Sequence, residues 1–214
     1  MLRVLSAGNT SAGLYLATEL PQARTLADML GERGPLQPRA VVTALAPVAG
    51  ALDAALTLGI LPRDLSPEGV LVAADDGRGL LGDIGIASAL FERDDLYRLT
   101  HAGFLSPEEI RLEPADATST VYSFTCVLYE CLTGSPPFDL ETPALMLYAH
   151  CCEPPPRATD RNRALPTPID AVLERGMDKA RFASPGELMS AAAQDGVLVA
   201  EFKRAVLVPR KDPG

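Results

Sequence analysis

The run from residue 40 to residue 61 is almost wholly apolar, and it restricts the fold of the chain more than any other feature. Its length would suit a transmembrane helix, since about 20 apolar residues span a bilayer. The run is rich in alanine and glycine, however, and it contains Pro47 and, near its middle, Asp53. A charged side chain at that depth in lipid is costly. We therefore expect a helix buried inside a globular protein, and no membrane span in this chain.

The composition supports this expectation. The 214 residues are 47% hydrophobic and 22% charged, which is typical of a soluble globular protein. The net charge of −9 and the lack of any basic cluster exclude nucleic acid as an expected partner. No secretion signal follows Met1, so we expect a cytoplasmic protein with buried, reduced thiols. His101 and His150 have no Cys, Asp or His at metal-ligand spacing, so we expect no metal site at the histidines. The cysteines, none in a C-x-x-C spacing, are Cys126, Cys131, Cys151 and Cys152.

Turn residues and hydrophobic periodicity predict two β-hairpins and a larger number of helices. The first hairpin is expected from residues 2–6 and 14–19, and the second around the Asp75-Asp76-Gly77 turn. Thr25 is a predicted N-cap, and Pro47 is expected to kink its helix. Residues 91–101 and 153–168 are predicted loops. The predicted helices span residues 26–30, 39–58, 121–132, 145–152, 168–177 and 185–194.

Four short motifs then follow in a fixed order. Residues 61–69 read LPRDLSPEG, residues 83–85 read DIG, residues 105–108 read LSPE, and residues 118–138 include STVYSF and CVLYECLTGSPPF. They resemble the HRDLKPxN catalytic loop, the DFG and APE motifs and the central helix of bacterial serine/threonine protein kinases, in wording closest to those of actinobacteria and mycobacteria. The order and length of the matches make the resemblance specific.

The resemblance implies an α+β, mostly helical fold that corresponds to the C-terminal lobe of a kinase with a remnant β-hairpin of the N-terminal lobe. Residues 1–24 would be the remnant strands and hinge, residues 25–195 the kinase-like lobe, and residues 196–214 a C-terminal tail. The chain is expected to open where the family's fourth and fifth strands lie. The glycine-rich loop and the strand-three lysine of the family then have no counterpart here.

By resemblance, each matching residue receives a role. Asp64, preceded by Arg63, would be the catalytic base, and Asp83 would hold magnesium. Glu19 and Leu20 would contact adenine through the hinge backbone. ATP and magnesium are the implied cofactors.

The resemblance also implies a structural ion pair between Glu108 and Arg181. Thr120 stands where the family's central helix carries an aspartate that holds the catalytic-loop backbone, so we expect a looser loop here.

Three departures within the catalytic loop oppose activity. Pro62 replaces the histidine, Ser66 replaces the lysine that meets the transferred phosphate, and Gly69 replaces the second magnesium ligand. Because phosphoryl transfer depends on positioning and charge neutralisation, we expect ATP binding to be weak or absent. The favoured interpretation is a catalytically impaired kinase-like module that binds or regulates. The alternatives are an active or partner-completed serine/threonine kinase and a non-functional gene remnant.

The remnant hairpin suggests a protein partner, either another kinase or a second copy. An isolated hairpin is marginal in water, and its edge and apolar face are expected to be exposed. We therefore expect this surface to recruit a protein.

Overall fold

The computed structural model describes residues 2–11, 13–62, 65–82, 99–178 and 184–194. Helices predominate in these ranges and strands are few, as the sequence predicts. The predicted loop at 91–101 lies largely outside them, and the predicted tail at 196–214 lies wholly outside. The helices are α1 (Leu26–Arg33), α2 (Pro38–Thr57), α3 (Pro107–Ile110), α4 (Ala117–Thr133), α5 (Pro143–Cys152), α6 (Ala158–Arg161), α7 (Pro168–Met177) and α8 (Pro185–Gln194).

The first two strands, β1 (Val4–Thr10) and β2 (Gly13–Thr18), form an antiparallel hairpin by themselves. The predicted hairpin is confirmed, but its turn is shorter than expected, because the ladder continues to the pair Thr10 and Gly13. Gly13 takes a φ of +124°, which favours glycine. The Tyr15 ring lies directly over Gly8, where a Cβ atom would come within 2.8 Å of it.

The second sheet contains three antiparallel strands in the order β3 (Ala23–Thr25), β4 (Val70–Ala73) and β5 (Gly79–Leu81). The β4–β5 hairpin was predicted, and its turn includes Gly77 at a φ of +72°. Strand β3 was not predicted, because three residues are too few to show an alternating pattern. It joins the sheet through tertiary pairing of Arg24 with Val72.

The first two helices begin where their capping residues predict. The Thr25 side chain accepts a hydrogen bond from the Asp28 N–H at 3.0 Å, which makes it the N-cap of α1. Helix α2 begins at Pro38, where proline costs no hydrogen bond, and Gly59 at a φ of +74° follows its end. The helix continues through Pro47 within its bounds.

Helix α2 is long enough and apolar enough to cross a membrane by length and composition, with a mean hydropathy of 1.6. In the structure it packs against α4, α8 and β5. The side chains that it buries in the core are Val41, Val42, Ala44, Leu45, Val48, Ala49, Leu52 and Ala55.

Helix α4 lies at the centre of the core and packs against α2, α6, α7 and α8. Its rings Tyr122, Phe124 and Tyr129 are almost completely buried. The Asp116 side chain accepts the Thr118 N–H at 2.8 Å at the start of the helix. Gly134 ends the helix in a left-handed conformation, at a φ of +86°.

Two predictions need correction. Residues 153–168 were predicted to be a loop, yet they contain the single turn α6, which rests on tertiary contacts of Arg161 with the carbonyls of Pro136 and Pro137. Local pattern could not show this turn. The cysteines were all predicted to be buried. Cys126 and Cys131 are buried, but Cys151 is only partly buried and Cys152, at the end of α5, is exposed.

Asp53, the charged residue of the apolar run, has a structural partner. Its carboxylate accepts hydrogen bonds from the Gly186 N–H at 3.2 Å and from the Ser184 hydroxyl at 3.4 Å. These groups lie at the first turn of α8, where backbone N–H groups lack helical partners and a negative charge is favourable. The carboxylate thus attaches α8 to α2.

We expect Asp53→Ala to lower the free energy of unfolding by about 1–2 kcal/mol, because it removes this capping acceptor. Urea denaturation of the two proteins measures the difference. Asp53→Asn keeps one acceptor oxygen in place and should lose roughly half as much. Equal stability of wild type and Asp53→Ala would contradict the capping role.

Candidate functional site

The predicted catalytic loop is described on both sides of Arg63 and Asp64, which themselves lie outside the described residues. Leu65 and Ser66 are each only 4% exposed, and Leu65 belongs to the hydrophobic core. The Ser66 carbonyl accepts the Gly69 N–H at 3.1 Å, which closes a short 3₁₀ turn over Pro67–Gly69. The loop is therefore anchored in the core directly after Asp64.

The other end of the loop is attached to the central helix. The Thr120 hydroxyl of α4, which is buried, donates a hydrogen bond to the Pro62 carbonyl at 3.3 Å. A looser loop was predicted because Thr120 replaces an aspartate. The structure shows that Thr120 still makes one contact to the loop backbone. The contact comes from its neutral hydroxyl, where the family has a charged carboxylate.

The β4–β5 ladder pairs Gly69, which replaces the family's second magnesium ligand, with Gly82, the residue before the predicted ligand Asp83. The Gly82 N–H donates to the Gly69 carbonyl at 2.9 Å, which extends the pairing of Val70 with Leu81. Asp83, the predicted magnesium ligand, is the next residue and lies outside the described ranges. Gly69 offers no side-chain oxygen to magnesium, which prefers oxygen ligands such as carboxylates, so Asp83 is the ligand that the resemblance still assigns.

The predicted hinge residues lie at the open end of the first hairpin. Glu19 donates its N–H to the Arg3 carbonyl at 2.9 Å, and its carboxylate accepts the Arg3 N–H at 2.9 Å. The side chain of Leu20 is 95% exposed. The ladder therefore holds the backbone N–H and the carboxylate of Glu19, and the adenine contact remains a prediction.

Of the predicted structural ion pair, only Glu108 lies within the described residues. Glu108 lies in the first turn of α3, and its Oε1 atom accepts a hydrogen bond from the Ser119 hydroxyl of α4 at 2.6 Å. Arg181 lies outside the described residues, so the ion pair remains a prediction. The contact with Ser119 nevertheless ties the end of the predicted activation segment to the central helix.

Comparison with known proteins decides the family. A protein kinase domain model matches residues 1–168, which is more than three quarters of the chain. The chain belongs to the protein kinase family. Its first sheet, catalytic-loop anchors and central helix all lie within the matched part.

The curated relatives are bacterial serine/threonine kinases. The chain is 37% identical over 214 residues to serine/threonine-protein kinase PknE of Mycobacterium tuberculosis, a match that covers 95% of this chain and 37% of the relative. It is 33% identical over 195 residues to PknH of Mycobacterium bovis, covering 86% and 32%, and 31% identical over 211 residues to PknD of Mycobacterium tuberculosis, covering 95% and 32%. The chain thus spans about a third of the length of these relatives.

The kinase fold also contains a carboxylate that sequence reasoning missed. Glu130 is the only charged residue of α4, and its Oε2 atom is buried without a hydrogen-bond partner among the described residues. Burial, aided by the nearby carboxylates of Glu68 and Asp139, raises the pKa of Glu130 to about 7. A single acid within an otherwise apolar helix was the signal available in the sequence.

A second missed group connects the segment before the LSPE motif to the lobe. His150 of α5 is buried, and its Nδ1 atom lies 2.7 Å from the Tyr122 hydroxyl of α4. Its ring packs edge-on against Phe138, at 4.8 Å between ring centroids. Burial lowers the pKa of His150 to about 4, although the nearby carbonyls of Ala102 and Gly103 oppose this shift.

The low pKa of His150 predicts a loss of stability in acid. The folded protein holds this ring neutral, so its contribution is complete above the ordinary pKa of 6.5 and is lost as the pH falls toward 4. We expect the stability advantage of wild type over His150→Gln to shrink by about 3 kcal/mol between pH 7 and pH 4. Urea denaturation at several pH values measures it. His101→Gln, which leaves the contacts of His150 intact, is the control, and a constant difference across pH would contradict the assignment.

The raised pKa of Glu130 predicts the opposite dependence of stability on pH. A carboxyl whose pKa is raised by folding favours the folded state below its ordinary pKa of 4.5, and this advantage disappears as the pH rises through about 7. We therefore expect Glu130→Gln to stabilise the protein at pH 8 by about 2 kcal/mol, once partial exposure to solvent is allowed for, and much less at pH 5. The exposed Glu113→Gln variant loses the same charge and is the control in thermal unfolding. Equal effects of the two substitutions at pH 8 would refute the prediction.

Proposed function

We propose that this chain is a serine/threonine kinase-like binding module in which phosphoryl transfer is impaired. One observation carries the proposal: two positions of the catalytic loop that should meet phosphate and magnesium offer no suitable side chain. Ser66 has a short hydroxyl that is buried at 4% exposure, and Gly69 has no side chain at all. On either side of Arg63 and Asp64, Leu65 packs in the core and the Pro62 carbonyl accepts the Thr120 hydroxyl.

The chemistry of phosphoryl transfer explains why these two positions matter. The protein contributes mainly positioning and positive charge near the transferred phosphate, and metal ions neutralise the remaining charge. The loss of one preorganised electrostatic contact costs about 100-fold or more in rate. With the lysine and the second metal ligand both replaced, Asp64 would have little transition-state stabilisation to act with. On this proposal the chain retains the fold but lacks two of the groups that would bind the phosphates and metal of ATP.

We further propose that the module acts through a protein partner at the first hairpin. Val4, Leu5, Tyr15 and Leu16 are all exposed there. A two-stranded hairpin is marginally stable alone, and exposed strand edges readily pair with other chains. The hairpin is therefore the part of the described chain that gains most from a partner.

The impaired-transfer proposal predicts no Asp64-dependent activity. We expect the purified chain, given labelled ATP, magnesium and a general serine/threonine acceptor protein, to transfer no more phosphate than its Asp64→Asn variant. That variant removes one charge at nearly constant shape. We also expect no rise in unfolding temperature when ATP and magnesium are added, because stabilisation requires binding to the folded state.

Phosphate transfer that exceeds background and disappears in Asp64→Asn would overturn the proposal in favour of an active kinase. A rise in unfolding temperature with ATP and magnesium, without transfer, would retain the binding module and assign it nucleotide as a ligand.

A further inference from the structure

The ring of His150 is held by contacts from outside its own helix. His150 lies on α5 and is only 4% exposed. Its Nδ1 atom lies 2.7 Å from the Tyr122 hydroxyl of α4, and the two rings meet edge-on with 5.6 Å between their centroids. Phe138, which follows α4 in the chain, also packs edge-on against the ring, at an angle of 77°. These contacts fix both the position and the orientation of the imidazole.

The second ring nitrogen, Nε2, has no hydrogen-bond partner among the described residues. The carbonyl groups of Ala102 and Gly103 nevertheless lie close enough to the ring to raise the pKa of His150 against the effect of burial. A buried polar group without a partner costs about 1–3 kcal/mol, so such a group in a native fold calls for an explanation. The two carbonyls are the acceptors that the fold brings to this ring.

The segment that carries these carbonyls has little regular structure. Residues 101–104 form a turn, closed by one backbone hydrogen bond at 3.0 Å. Ala102 is nevertheless only 2% exposed, and a Cβ atom at Gly103 would lie 3.4 Å from Pro136. No backbone N–H of a described residue donates to the carbonyl of Ala102 or of Gly103. Buried carbonyls require donors, so the segment needs what the ring can supply.

The chemistry of the two sides of the ring selects one tautomer. Carbonyl oxygens only accept hydrogen bonds. With the proton on Nε2, the ring can donate toward the carbonyls while Nδ1 accepts from the Tyr122 hydroxyl. With the proton on Nδ1, the lone pair of Nε2 would face carbonyl oxygens, which is repulsive. The tautomer protonated on Nε2 therefore suits both neighbours.

We propose that His150 is a latch that holds the end of the predicted activation segment against the lobe. Helix α4 fixes the ring through Tyr122, and the Nε2–H group closes on the carbonyl of Ala102 or Gly103. Because residues 101–105 have few backbone hydrogen bonds, they can open locally when this contact is lost, while α4 and α5 stay folded. The inference goes beyond the proposed function, since the latch operates whether or not the chain transfers phosphate.

Nitrogen NMR of protein labelled with nitrogen-15 at histidine measures the tautomer directly. The chain has two histidines, and the His101→Gln variant assigns their signals. We expect His150 to carry its proton on Nε2 at pH 7, with Nδ1 as the acceptor. A proton on Nδ1, or a mixture of the two tautomers, would overturn the proposal. This measurement requires no substitution at position 150.

Hydrogen exchange of backbone amides tests the latch itself. In His150→Gln the side-chain amide lies near the position of Nε2 and can still donate, whereas in the shorter His150→Asn it lies near Nδ1. We expect the amides of residues 101–106 to exchange at least about tenfold faster in His150→Asn than in His150→Gln, with the amides of α7 alike in both. Equal exchange of residues 101–106 in the two variants would overturn the proposal. Equal acceleration in α7 would do so too, because it reports loosening of the whole lobe.

Discussion

The burial of helix α4 against α2, α7 and α8 is the interaction on which the rest of the structure depends. Three large rings of α4 are almost fully excluded from water, and burial of each side chain of this size contributes about 2–3 kcal/mol. From this helix, Thr120 reaches the catalytic loop, Ser119 reaches Glu108, and Tyr122 reaches His150. The site is therefore positioned by three side chains near the start of a helix that the core already holds.

Packing around this core shifts the pKa values of two polar side chains away from their ordinary values. Burial lowers the pKa of His150 to about 4, and burial with two neighbouring carboxylates raises the pKa of Glu130 to about 7. Both arrangements cost free energy that the surrounding apolar packing supplies. Costly buried carboxyls are more common at functional sites than elsewhere, and Glu130 has two acidic neighbours, one of them (Glu68) in the turn that follows the predicted catalytic residues. Glu130 thus lies near the turn that follows the predicted catalytic residues, with its pKa raised to about 7.

Fold and chemistry follow different requirements in this molecule. The kinase fold survives because its anchors are apolar contacts and single hydrogen bonds, which tolerate replacement of an aspartate by Thr120. Phosphoryl transfer has stricter requirements, since a positive charge or a metal ligand has no apolar substitute. The lobe's contacts to Pro62 and Leu65 are therefore compatible with a serine and a glycine at positions 66 and 69.

The sequence by itself determined the family, most helices and the first hairpin. Periodicity places α7 and α8 at the observed residues, and the caps at Thr25 and Gly134 act locally, so their effect can be read without tertiary contacts. Motif order placed the catalytic-loop positions, although several predicted site residues lie outside the described ranges.

Only the tertiary structure decided the remainder. Strand β3 and the turn α6 are too short to form without partners, and they exist because distant residues pair with them. The role of Asp53 depends on a helix more than 130 residues later, and the pKa values of Glu130 and His150 depend on neighbours that folding assembles. Local patterns report the preferences of a segment for itself, whereas burial and long-range electrostatics depend on what the fold places beside it.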